Sequence, residues 1–60
     1  MKYWLSSKAM TIEVTVALTG YNNQKVVTAA PPIAKKFIGQ PMGNLVNWMQ
    51  RQGDFKMREL

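Results

Sequence analysis

Sixty residues carrying eight Lys and Arg, three acidic side chains and neither Cys nor His give a formal charge of +5. That composition excludes disulfides, thiolate zinc sites, thiol nucleophiles and imidazole general bases. A chain of this length forms a single domain, residues 1–60, that buries only about 60% of the surface its unfolded form exposes, so a homodimer is the remaining route to more buried area.

Lys2 to Ser6 has the aromatic content of a strand, and Ser7-Lys8-Ala9 is short enough to turn it back. From Met10 to Leu18 the residues Met10, Ile12, Val14, Val16 and Leu18 alternate with Thr11, Glu13, Thr15 and Ala17. That period of two buries one face of a strand and leaves the other open. Thr19 to Gln24 includes Gly20, Asn22 and Asn23, residues that tolerate the positive φ of a hairpin turn, and Lys25 to Ala30 reads as the returning strand.

Pro31 and Pro32 end that strand, and Pro32 suits the first turn of a helix. Ile33, Phe37 and Ile38, with Ala34 beside them, predict a short helix stopped by Gly39. A second helix starts at Pro41 and carries Met42, Leu45, Val46, Trp48 and Met49 as a core-facing stripe, with Gly53 as its C′ residue. Phe55 and Met57 then alternate with Lys56 and Arg58 in a last strand that rejoins the sheet. The expected architecture is α+β in the order β-β-β-α-α-β, with an antiparallel sheet of about four strands and two short helices across one face. In it Trp48 turns into the sheet against Ile12, Val14 and Val16, and Trp48→Ala costs about 3–5 kcal/mol.

The carboxylates Glu13, Asp54 and Glu59 are not spaced as an acid and base pair, no Ser-x-x-Lys element occurs, and the glycines match no phosphate-binding loop. The protein is therefore read as non-enzymatic, without metal or cofactor. Helix, glycine-containing turn, helix and strand resemble a helix-turn-helix with a wing, but Ala34 and Gly39 are five apart and Pro41 interrupts the connection. The longest apolar runs are only a few residues, which predicts no membrane partner and a cytoplasmic location.

The basic side chains point to polyanions, although a charge of this size also serves solubility. On the second helix Asn44, Asn47 and Arg51 follow i, i+3, i+7 spacing opposite the apolar stripe. Amides and a guanidinium there can bond to base edges, and Gly43 with the two Asn costs about 1–2 kcal/mol of helix propensity. Lys35 and Lys36 lie on the first helix as phosphate contacts or as a solvated face. If Tyr3 and Leu5 face the helices, then Lys2, Trp4, Lys56 and Arg58 share the open face as a stacking platform ringed by cations; the opposite orientation puts Trp4 in the core. The favoured function is a small nucleic-acid-binding (DNA or RNA) or regulatory protein using these nine residues. The alternative is an accessory subunit or inhibitor that docks an acidic protein surface.

Overall fold

The computed structural model describes residues 1–20 and 23–60. Strands β1 (Lys2–Ser6), β2 (Thr11–Thr19), β3 (Gln24–Ala29) and β4 (Lys56–Glu59) form one sheet, and a 3-10 helix (Pro32–Phe37) and α1 (Met42–Gln50) connect β3 to β4. The α+β class and the order of elements are those read from the sequence. All pairings are antiparallel in the order β3-β2-β1-β4. Three consecutive strands and a fourth that returns beside the first make the spatial order of a Greek key.

The alternation in β2 does what its period requires. Ile12, Val14 and Val16 are buried, and the register sets Leu5 opposite Ile12 and Tyr3 opposite Val14, so all five side chains share one face; Leu18, at the end of the same alternation, runs past the helical layer and is 54% exposed, and Met10 lies outside the strand. Between Thr15 and Val16 the pairing with β3 shifts: Thr15 faces Ala29 whereas Val16 faces Val27. Thr28 is the extra residue of a β-bulge, and its hydroxyl donates to the Thr15 carbonyl at 3.3 Å. The bulge keeps Val27 on the core side beside Val16. In the hairpin between β2 and β3, Gly20 (φ 64°) and Asn23 (φ 49°) adopt the left-handed backbone expected of them; Tyr21 and Asn22 of that turn lie outside the described residues.

The first helix has the expected place and a different period. Residues Pro32–Phe37 form a 3-10 helix that buries Ala34 and Phe37, three positions apart, and leaves Ile33 56% and Ile38 43% exposed. Five residues between Pro32 and Ile38 are too few to nucleate a stable α-helix, and no side chain caps the segment, so i to i+3 bonding takes over and the inward face follows a period of three. Ile33 thus leaves the stripe it was expected to share with Phe37.

Helix α1 buries Met42, Leu45 and Met49. Trp48 departs from expectation: it is partly exposed and stacks on Phe37, with centroids 5.2 Å apart and ring planes tilted by 46°, rather than turning into the sheet. At about 100° per residue the three buried side chains centre the inward stripe between Leu45 and Met42, and Trp48 falls roughly 90° to one side of it. The core comprises Tyr3, Leu5, Ile12, Val14, Val16 and Val27 from the sheet, met by Ala34, Phe37, Met42, Leu45 and Met49 from the helices.

Backbone bonds lock the helical layer to the sheet. The Val27 amide donates to the Gln40 carbonyl at 3.0 Å and the Gly39 amide to the Val27 carbonyl at 2.7 Å, which covers the outer edge of β3 at its centre. Past α1, Gly53 (φ 91°) and Asp54 (φ 52°) reverse the chain. The Gly53 carbonyl there accepts the Lys8 amide at 2.8 Å, and the Ser7 hydroxyl donates to the Gln52 side-chain oxygen. The β1–β2 turn is thereby tied to the end of α1, and β4 is left as the uncovered edge of the sheet.

Candidate functional site

Two groups of the expected side chains lie on opposite sides of the molecule. On the open face of the sheet Trp4 sits opposite Arg58 of β4 and Glu13 of β2, and Ser6 sits opposite Lys56. The Arg58 guanidinium lies 4.8 Å from the Trp4 ring centroid. Lys2, two residues before Trp4, projects from the same face. Lys2, Trp4, Lys56 and Arg58 are therefore neighbours, but one side of the indole is covered by Arg58 and a carboxylate stands directly across from it.

The second group gathers on the outer surface of the helical layer. Phe37, Gln40, Asn44, Asn47, Trp48 and Arg51 line a shallow depression of about 320 Å³. The 3-10 helix delivers Phe37, the turn after it Gln40, and the first two turns of α1 Asn44, Asn47 and Trp48, with Arg51 at the C-cap of α1. The Lys36 ammonium lies 4.9 Å from the Trp48 centroid and 5.3 Å from that of Phe37, so one cation spans both rings. Lys35 is exposed on the adjacent side of the 3-10 helix and takes part in neither contact.

A short chain of hydrogen bonds orients the amides. The Gln40 side-chain nitrogen donates to the Lys36 carbonyl at 2.9 Å, and its oxygen accepts from Asn44 Nδ2 at 3.1 Å. Asn44 is held by one N–H and keeps its oxygen and second N–H for a ligand. Away from both groups, the Lys25 ammonium sits 5.2 Å from the Tyr3 ring centroid. Its pairing with the Tyr3 side chain raises the Lys25 pKa above the ordinary lysine value.

Of the nine expected site residues, Lys36, Asn44, Asn47 and Arg51 are brought together around Trp48, Lys35 borders them, and Lys2, Trp4, Lys56 and Arg58 form the separate sheet cluster. Sequence reasoning had placed Trp48 in the core and had given Gln40 no role. The i to i+4 spacing of Gln40 and Asn44 across Pro41 was the available signal for the amide pair. The flanking angle of Trp48 was the signal for the aromatic floor.

Comparison with protein-family models, curated proteins and solved structures finds no match for this chain. The helix-turn-helix resemblance is not sustained by the geometry, since its first helix is replaced by the six-residue 3-10 segment Pro32–Phe37. No helix among the described residues is long and apolar enough to cross a membrane.

Proposed function

We propose that the chain is a small non-enzymatic nucleic-acid-binding protein that uses the outer surface of its helical layer. The observation that carries this reading is the grouping of Lys36, Arg51, Asn44 and Asn47 around the partly exposed Trp48. Cations supply the sequence-independent attraction to phosphates, and amides and an indole supply contacts to bases. The sheet cluster is the weaker candidate because Glu13 opposes Trp4 and would repel a phosphate chain.

Fluorescence anisotropy with labelled DNA and RNA over a range of salt concentrations tests the reading. If Lys35, Lys36 and Arg51 each neutralise a phosphate, log K should fall with log salt with a slope of about −2 to −3. Absence of saturable binding to any probe at low salt would overturn it.

A second reading, docking on an acidic protein surface, is favoured by the uncovered β4 edge with Lys56 and Arg58 on it. An acidic extended segment added to that edge would satisfy its free backbone groups and pair with those cations.

A further inference from the structure

We infer that the ligand of the helical surface is single-stranded nucleic acid, with one unstacked base seated in the depression against Trp48. This rests on the nucleic-acid reading above and narrows it to a strand state and a contact. Two aromatic rings line the depression, Trp48 and Phe37, 5.2 Å apart and tilted by 46°: Phe37 belongs to the core and Trp48, the more exposed of the two, packs against it, with the amides of Gln40, Asn44 and Asn47 and the Arg51 guanidinium around them. A base inside a duplex offers only its groove edge, because its two π-faces are covered by neighbours; a ring on the floor of a depression can be used only by a base that has left the stack.

The rim matches the same occupant. Asn44 is fixed by Gln40 with an acceptor and a donor remaining, a pair that can bond the Watson–Crick edge of an unpaired base; because it could equally bond a purine edge in a groove, the strand state is carried by Trp48 and not by the amide. Lys36, which is exposed, holds its ammonium over the rings at cation–π distance. An arriving base takes its place on the indole, and the ammonium moves to the adjoining phosphate. Lys35 and Arg51 then flank the strand on either side of the seated base. A duplex read by the outer face of α1 would instead engage Asn44, Asn47 and Arg51 along a groove and leave Trp48 uncovered.

Tryptophan emission and anisotropy are followed together while single-stranded homopolymers, and duplexes of the same length, are titrated into the wild-type protein and into Trp48→Phe and Trp48→Ala. The expected result is tighter binding of single strands than duplex, with quenching in the wild type that disappears in Trp48→Phe although that variant still binds. Trp48→Ala should lose about tenfold or more in single-strand affinity, the loss expected when one stacked base is given up. Because Trp48→Ala also disturbs packing, the quenching difference between wild type and the conservative Phe variant is the deciding readout. Equal affinity for duplex and single strand, or quenching that survives in Trp48→Phe, would overturn the inference while leaving nucleic-acid binding intact. No binding to any probe would remove the broader reading as well.

Discussion

Ile33→Ser and Ala34→Leu, made separately, decide which side of the 3-10 helix faces the core. Ile33 already exposes 56% of its surface, whereas Ala34 exposes 0%. Full burial of an Ile side chain is worth about 1.5–3 kcal/mol, so Ile33→Ser, which gives up less than half of that burial, should cost about 1 kcal/mol. Ala34→Leu forces an isobutyl group into the cluster shared with Phe37, Met42 and Leu45. Overpacking of that kind costs about 1–3 kcal/mol. The upper part of that range applies here because the backbone cannot retreat: Ala34 donates to the Pro31 carbonyl at 2.9 Å, and Gly39 is bonded to Val27 at 2.7 Å. Against a total stability of about 3–9 kcal/mol for a chain of this size, the two variants are well separated. Thermal melts followed by circular dichroism should show a fall of roughly 10–20 °C for Ala34→Leu and about 5 °C for Ile33→Ser. The reverse ranking would refute the assignment, because it is what an α-helix with Ile33 and Phe37 pointing inward together would produce.

Gly53→Ala should cost about 1–2 kcal/mol through backbone strain alone, since φ is 91° there and an added Cβ meets nothing closer than 3.9 Å. Gly43→Ala, in the first turn of α1 with open space around it, should instead stabilise, by less than the roughly 1 kcal/mol of a helix interior, and urea melts of the pair give the two signs directly. Lys36→Gln and Arg51→Gln should each reduce the magnitude of the salt slope for nucleic acid by about 0.7–0.9, whereas Lys2→Gln on the sheet face should leave it unchanged; anisotropy across salt concentrations is the check. Self-association through β4 should strengthen as salt is raised, the opposite of nucleic-acid binding. Leu60 bonds inward to Lys2 at 2.9 Å, so Met57 and Glu59 carry the free edge groups. A twofold pairing centred on Met57 or Arg58 then sets cation against cation. Sedimentation at low and high salt tests this, and a dimer favoured by low salt would refute it.

Elements defined by short-range pattern were legible in the chain. Met10 to Leu18 could only be a half-buried strand, because strict alternation puts its apolar side chains on one face whatever it packs against. Gly20, Pro32, Gly39 and Gly53 marked breaks because backbone sterics act locally. The alternation of Phe55 and Met57 with Lys56 and Arg58 indicated a last strand that rejoins the sheet but not its partner; the pairing with β1, which brings Arg58 over Trp4, is a property of the fold, and Met57 stays 44% exposed in it.

What the tertiary structure decided is how those faces meet. Apolar periodicity does not say whether a segment of five or six residues will wind with a period of 3.6 or of three, because that depends on whether neighbouring elements reward one inward face over the other. Here the bonds from Val27 to Gly39 and Gln40 hold the segment short, and Ala34 replaces Ile33 in the core. Trp48 lies at the margin of its helix's stripe, where the neighbour alone settles whether an indole is swallowed or left on the surface. Phe37 stands beside it, so the ring is stacked sideways and remains reachable. The amide chain from Lys36 through Gln40 to Asn44 likewise joins a 3-10 helix to an α-helix across a proline turn. Residue types alone make each of those groups a candidate, and only the packing of the helical layer on the sheet places them around one floor.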